Sequence, residues 1–387
     1  MNKALLSPNV QEFIFSYTEK TTKLAFSGSP FPEIPVTDIL QQIESRRAIE
    51  KKLPTWFATK DIVYPPKLNL EQTSSEATAK YKSGLIMGKT LADLTGGLGV
   101  DTYYFAETFK SVVHFETNSS LSQLAAHNLQ VLQQENIQCH NKDGIEAIAN
   151  DGFDVIYIDP SRRHDSKGKV FFLKDCEPNV PVHLDYLLER CNVLMVKTSP
   201  MLDISVGLKE LRHVAEIHVI AIGNEVKELL WILRKGITER VMIHTINISK
   251  KGKQPFSFAH QEEVGTVFSE PLRFIYEPNA AILKSGGFSH ISEAFKLKKL
   301  HPHSHLFTSD VLRDFPGRRF SIQKIVPYSK KTMRGITFEK ANVTTRNFPE
   351  SVASLRKKWK IKDGGNVYLF FTTLENGEKI MLICEKI

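Results

Sequence analysis

The sequence predicts an α/β protein: a doubly wound, mostly parallel sheet that ends in an antiparallel hairpin, preceded by a helical region and followed by an α+β region. Three observations predict it. Between residues 90 and 235 short apolar runs alternate with helical segments, the pattern of βαβ units. The last apolar run, 229–233, follows Gly223-Asn224 too closely for a helical crossover and must return beside its predecessor as a hairpin. On either side the alternation is lost, and prolines at 30, 32 and 35 and again from 271 to 349 interrupt shorter elements.

In chain order, residues 10–15 and 39–49 carry apolar positions near a 3.6 period and predict helices, and Thr73, Ser74 and Ser75 offer caps for a further helix through Ala77, Ala79 and Tyr81. Strands are predicted at 91–94, 112–115, 155–158, 193–196, 217–222 and 229–233, with helices at 102–109, 121–135 and 182–190. A chain of 387 residues has room for two or three domains. The patterns divide it into a helical cap (1–82), the α/β domain (83–236), a connecting α+β region expected to be ferredoxin-like (237–315) and a basic C-terminal domain (316–387).

Composition narrows the function classes. With 41% apolar and 24% charged residues, disordered, collagen-like and coiled-coil classes fit poorly. The four cysteines show no C-x-x-C spacing, which argues against a zinc ribbon or a disulfide framework and for a cytoplasmic setting. No apolar run approaches the roughly 18 residues of a membrane span, and the first twenty residues lack a signal-peptide core. His301, His303 and His305 alternate, but no cysteine or aspartate completes a ligand set, so no metal is expected.

The segment Leu91-Ala92-Asp93-Leu94-Thr95-Gly96-Gly97-Leu98-Gly99-Val100-Asp101 ends a strand and opens a helix, where glycines admit a ligand close to the backbone. Glu116 ends the next strand, at the spacing where an acid accepts the hydroxyls of a ribose. The dinucleotide fingerprint fails, because its third glycine would fall on Thr102 and Asp93 would face a pyrophosphate. An acid in the loop suits a ligand with an ammonium group, such as the methionine part of S-adenosylmethionine, and Asp143 in Asn141-Lys142-Asp143-Gly144 suits an adenine amino group. On these residues, 90–235 resembles a class I S-adenosylmethionine-dependent methyltransferase. The resemblance implies that Asp93, Thr95, Gly96, Gly97, Gly99, Glu116 and Asp143 hold that cofactor.

The third predicted strand and its continuation, Asp154-Val155-Ile156-Tyr157-Ile158-Asp159-Pro160-Ser161-Arg162-Arg163, end in a polar tetrad at the carboxyl edge of the sheet, where the resemblance implies a methyl-acceptor pocket. Asp159-Pro160 is similar to the start of the D-P-P-Y motif of amino-methylating enzymes and of the D-P-P-R motif of RNA uracil methyltransferases. Ser161 and Arg162 depart from both. No cysteine follows the strand ending in Val196-Lys197-Thr198-Ser199-Pro200, which disfavours covalent attack on a pyrimidine. Asp159 and Lys197, with Glu228 and with Lys80 or Lys82, resemble the K-D-K-E tetrad of ribose 2′-O-methyltransferases. Asp159, Pro160, Lys197 and Glu228 are therefore the candidate catalytic residues, and Arg162 and Arg163 can clamp a phosphate. Thr73-Ser74-Ser75-Glu76 is similar to an upstream element of RNA guanine-N2 methyltransferases, in which a capped helix covers the cofactor.

The net charge of +8 is unevenly placed. Residues 291–362 hold seventeen lysines and arginines against five acids, a net +12, which leaves −4 for the rest of the chain. Such a stretch predicts a polyanionic partner, with Lys357 and Lys358 among its contacts. Glu277-Pro278-Asn279-Ala280-Ala281, Phe315-Pro316-Gly317-Arg318 and the basic segment after them resemble the C-terminal half of a bacterial family of methyltransferases with a THUMP-like domain. THUMP domains bind structured RNA. The expectation is a cytoplasmic methyltransferase acting on tRNA or rRNA, at a base amine or a ribose hydroxyl. Its rivals are a methyltransferase for protein or a small molecule, and a non-catalytic RNA-binding protein that senses the cofactor.

Overall fold

Six α-helices precede the first strand among the described residues: α1 (Pro8–Ser16), α2 (Thr21–Ser27), α3 (Val36–Ile49), α4 (Pro54–Ala58), α5 (Lys67–Gln72) and α6 (Glu76–Ser83). Pro8 and Pro54 open α1 and α4, where the missing N–H would have had no intrahelical partner. Ser75 caps α6 by accepting from the Thr78 N–H. Trp56, Tyr64 and Leu70 share one buried cluster with Leu98, Val100 and Tyr104. The helical region is thereby anchored on the glycine segment and on the helix that follows it.

The structure is a computed structural model that describes residues 2–149, 151–162, 172–262 and 264–387. The chain divides into two units, residues 1–217 with 228–239, and residues 218–227 with 240–387. After the six helices come β1 (Thr90–Asp93), α7 (Val100–Ala106), β2 (Ser111–Phe115), α8 (Ser119–Val131), β3 (Ile137–His140), α9 (Gly144–Ala147) and β4 (Phe153–Ile158). A short ribbon follows, β5 (Ser161–Arg162) paired with β6 (Cys176–Glu177), and then α10 (Val180–Leu188), β7 (Cys191–Thr198), α11 (Ile204–Glu210), β8 (Val214–Ile222) and β9 (Glu225–Leu233). Their hydrogen-bonded order is β3-β2-β1-β4-β7-β9-β8. The pairs β1·β2, β1·β4, β2·β3 and β4·β7 are parallel, while β9 runs antiparallel to β7.

The predicted α/β sheet with its terminal hairpin is present, and β9 inserts between β7 and β8. One strand of this sheet was not predicted. β3 reads Ile-Gln-Cys-His and is half-buried along most of its length, so it shows no apolar run. The helices start earlier than their apolar periods do, because caps start them: Gly99, in the left-handed region, opens α7, and the Asn179 side chain accepts from Val182 N at the start of α10.

The other unit contains the antiparallel pair β10 (Met242–Ser249) and β11 (Gly252–Ala259), then β12 (Phe274–Pro278), α12 (Ala280–Ser285), α13 (Phe288–Ala294), β13 (Lys298–Lys299) and β14 (Phe307–Ser309). It continues through β15 (Gly317–Pro327), α14 (Lys330–Arg334), β16 (Asn342–Arg346), α15 (Val352–Trp359), β17 (Val367–Thr373) and β18 (Lys379–Lys386). Strands β12 to β18 form a sheet of order β13-β14-β12-β15-β18-β17-β16, in which α15 links the parallel pair β16 and β17. The two short motifs noted in the sequence meet here. The Asn279 N–H donates to Pro316 O at 3.1 Å, and a Cβ on Gly317 would lie 2.2 Å from the Glu277 carbonyl oxygen. Buried Glu277 is held by Arg318 and by Arg346, the latter at 2.7 Å.

Candidate active site

The glycine segment is a tight turn from β1 into α7, and each glycine has its own reason. A Cβ on Gly96 would lie 2.1 Å from the His114 ring, so this position serves packing. Gly97 (φ 55°) and Gly99 (φ 81°) occupy the left-handed region. Asp93 is 1% exposed, and its two carboxylate oxygens are committed within the turn: Oδ1 accepts from the Thr95 N–H at 3.1 Å and Oδ2 from the Thr102 hydroxyl at 2.7 Å. Burial raises its pKa to about 7, against the lowering effect of the Thr102 hydrogen bond.

Glu116, just past β2, accepts from the Gly97 N–H at 3.1 Å and from the Asn118 N–H at 2.7 Å, tying the loop to the second strand end. Asp143, past β3, caps α9 by accepting from the Ile145 and Glu146 N–H groups at 2.8 and 3.2 Å. The three acids predicted to hold the cofactor thus lie at or just past the carboxyl ends of three adjacent parallel strands. Gly97 forms an open floor between them, since a Cβ there would meet nothing closer than 3.9 Å.

Strand register assembles the second half of the site. Asp93 pairs with Tyr157, Tyr157 with Met195, and Lys197 with Leu230. Because side chains alternate along a strand, Asp93, Tyr157, Lys197 and Glu228 share one face of the sheet, and Asp159 continues that alternation past β4. α6 and α7 supply charges to the same face. Lys82 on α6 is fully buried and pairs with Glu228 at 2.8 Å and with Asp101 at 2.9 Å. Lys197 pairs with Asp159 at 2.5 Å and lies 3.9 Å from Asp101. The Ser74 hydroxyl accepts from both lysines, at 3.0 and 3.1 Å, and donates to Asp101 Oδ2 at 2.7 Å. Tyr157 OH donates to the same oxygen at 2.8 Å.

The cluster holds two lysines and three carboxylates. Burial works against the Lys197 charge, but Asp159, Asp101 and Glu228 outweigh it and lift its pKa well above the ordinary lysine value. Burial likewise works against ionised Asp101, yet Lys82, Lys197 and the Ser74 hydrogen bond bring its pKa down to about 2. Lys197 is therefore a fixed cation and Asp101 a fixed anion. The Asp159 side chain is 32% exposed, more than any of its charged partners. The Asp159 N–H donates to the Thr95 hydroxyl at 2.7 Å, so the acidic tip of β4 is fastened to the glycine loop.

The structure brings together Asp159, Lys197 and Glu228 as the sequence predicted, and it selects Lys82 over Lys80, whose side chain is 58% exposed and pairs with Glu76 at 3.8 Å. Pro160 is buried after β4, and Ser161 and Arg162 lie in the β5·β6 ribbon. Arg163 lies outside the described residues. In the other unit Lys357 is exposed on α15, whereas Lys358 is engaged by Glu350 at 2.9 Å and by Tyr328 OH at 3.1 Å. Sequence reasoning missed Asp101, Ser74 and Tyr157. A two-residue alternation from Tyr157 to Asp159 was the available signal for the tyrosine. Asp101 and Ser74 carry no such signal.

A 32% identical protein from Porphyromonas gingivalis W83, solved as a crystal structure and described as a candidate methyltransferase, superposes with a TM-score of 0.89, covering 100% of this chain and 98% of that one. The chain belongs to the S-adenosylmethionine-dependent methyltransferases with a THUMP-like C-terminal domain. An uncharacterized S-adenosylmethionine-dependent methyltransferase of Mycobacterium tuberculosis, found in two strains, is 23% identical to this methyltransferase over 318 residues, 80% of this chain and 84% of the relative. Residues 274–316 of the methyltransferase match a ferredoxin-like domain and residues 317–386 a THUMP-like domain. No helix among its described residues is long and apolar enough to cross a membrane.

Proposed function

We propose that this methyltransferase transfers a methyl group from S-adenosylmethionine to tRNA or rRNA in the cytoplasm. The observation that carries the reading is the hydrogen bond from Asp159 N–H to the Thr95 hydroxyl, which joins the Asp159–Lys197 pair to the glycine loop. The residues present suit the cofactor. Gly97 leaves an open floor, Glu116 is an acceptor for ribose hydroxyls, Asp143 for an adenine amino group, and the cluster beside them carries one more negative than positive charge, which favours a sulfonium. Asp93, Thr95, Gly96 and Gly99 shape the loop. S-adenosylmethionine, when bound, supplies an electrophilic methyl group.

The chain's own residues prepare the acceptor. Asp159 receives its proton, Lys197 sets the position and charge of Asp159, Glu228 holds Lys82, and Pro160 stiffens the chain just after the acid. Arg162 and Arg163 are read as phosphate contacts. RNA as the substrate is supported by the net +12 of residues 291–362 within a region matched largely by the THUMP-like domain, with Lys357 and Lys358 among the contacts. The test is incubation of the full chain with methyl-labelled cofactor and either total RNA or total protein. Label entering RNA supports the proposal. Label entering only protein, or none despite cofactor binding by calorimetry, overturns it.

A further inference from the structure

Resting on the RNA reading above, we infer that the tip of the β10·β11 ribbon is a second RNA-contact surface, which grips the phosphodiester backbone outside both the ferredoxin-like and the THUMP-like segments. The run 240–261 contains no aspartate or glutamate, against four cations, Arg240, Lys250, Lys251 and Lys253. The net −4 of the chain outside residues 291–362 thus conceals a local +4.

Turn chemistry does not account for these lysines. Ser249 pairs with Gly252, so Lys250 and Lys251 are the two residues that join the strands. Mirror-image two-residue turns select Asn, Asp or Gly at such places because they need positive φ there. Here the positive φ falls on Gly252 (115°), in open space, and positions 250 and 251 are left without that demand. Protection of a sheet edge does not account for them either. β11 pairs with β10 alone, and Pro255, which has no N–H, and Lys253 already blunt that edge. Lys250 and Lys251 sit on the turn, off the edge strand.

The tip is braced and its charges are uncompensated. The Ser249 hydroxyl accepts from the Lys251 N–H and donates to Gly252 O, both at 3.2 Å. Just below, the Asn247 side chain accepts from the Asn224 N–H at 2.8 Å and donates to Gln254 Oε1 at 3.0 Å. Asn224 Oδ1 in turn accepts from the Ala280 N–H at 2.8 Å, which ties the ribbon to the start of α12. Asn279, the residue before, donates to Pro316 O at the border of the THUMP-like segment. Lys250, Lys251 and Lys253 are exposed, and none is ion-paired with a described carboxylate. Three close-set cations on a braced turn, with no acid along the ribbon, suit a chain of closely spaced phosphates, and a held turn loses little freedom when it binds.

The experiment compares the full wild-type chain with a variant carrying Lys250→Gln, Lys251→Gln and Lys253→Gln, in filter binding to labelled total RNA between 50 and 200 mM salt. The slope of log affinity against log salt is expected to fall by about two to three, and arginine at the same three positions to keep it. A control with Lys3→Gln, Lys20→Gln and Lys110→Gln, exposed lysines of the other unit, removes the same charge and is expected to leave the slope unchanged. In methyl transfer the ribbon variant is expected to raise KM for RNA with kcat within about twofold. An unchanged slope in the ribbon variant, or an equal fall in the control, overturns the inference while the RNA reading stands. An unchanged slope together with new oligomers on size exclusion also overturns it, and assigns the lysines to edge protection. Wild-type chain that retains no RNA overturns both readings. Should the triple variant lose its circular dichroism signal, Lys250→Gln with Lys251→Gln is tested alone, with a slope expected to fall by about one to two.

Discussion

At the scale of single residues, the site is a set of charges whose values are fixed by their surroundings, and three predictions follow from them. Asp159→Asn keeps the shape of the acid but cannot take a proton. Methyl transfer is expected to fall by about 10²- to 10⁴-fold while calorimetry shows nearly unchanged cofactor binding. Unchanged turnover would make the acid structural. Asp101→Asn leaves Lys82 and Lys197 short of one buried partner, and its unfolding free energy is expected to drop by about 3 to 5 kcal/mol in urea denaturation. Asp93 carries a pH signature: burial lifts its folded-state pKa to about 7, above its unfolded value near 4. A raised carboxyl stabilises the fold below the unfolded pKa and loses that contribution as pH rises through the folded one. The stability of the wild type relative to Asp93→Asn should therefore fall between about pH 4 and pH 7, as read from urea midpoints of both proteins at pH 5 and pH 8.

At the scale of elements, the strand ends and the glycine loop work together. Gly96→Ala places a methyl group against the His114 ring, and since the same ring packs beneath the loop, either the loop or β2 must move. Cofactor affinity is expected to fall at least about tenfold, measured by calorimetry on protein whose circular dichroism is unchanged. The strand-end acids were legible in the sequence because a parallel sheet delivers every strand's carboxyl end to one edge, so a polar residue after an apolar run has a known destination. Helix residues have no such rule. Asp101 and Ser74 lie beside a glycine loop and a cap, and each has an ordinary local reading. Lys82 was one of two candidates on α6, and only its helical phase against the sheet separates it from Lys80. β3 was illegible because an edge strand needs no continuous apolar run.

At the scale of the whole molecule, the chain separates charge by region. Residues 291–362 hold the excess of cations, yet several of them serve the fold. Arg318 and Arg346 hold Glu277, Arg356 pairs with Asp363, and Lys358 pairs with Glu350. Lys330, Lys331 and Arg334, exposed on or beside α14, together with Lys357 and Lys360, are better placed to meet phosphates. Replacing Lys330, Lys331 and Arg334 with glutamine should reduce the slope of log affinity against log salt by about two to three if these cations bind RNA. A nitrocellulose filter assay between 50 and 200 mM salt reads that slope, and an unchanged slope assigns RNA contact to other residues. Phe320, in contrast, is fully buried, so this aromatic among the basic residues belongs to the core and not to a stacking surface.

The sequence by itself determined the class of sheet, the edge at which its strand-end acids gather and the location of the excess positive charge. Each of these follows from local periodicity or composition. The tertiary structure alone decided which lysine of α6 enters the cluster, that Asp93 is spent within its own turn, and that Lys197 is locked as a cation. Those facts depend on contacts such as Lys82 to Glu228, 146 residues apart, and Lys197 to Ser74, 123 apart. A charge is set by the sum of its neighbours and its burial, and neighbours so distant along the chain are specified only when the sheet and its covering helices pack together.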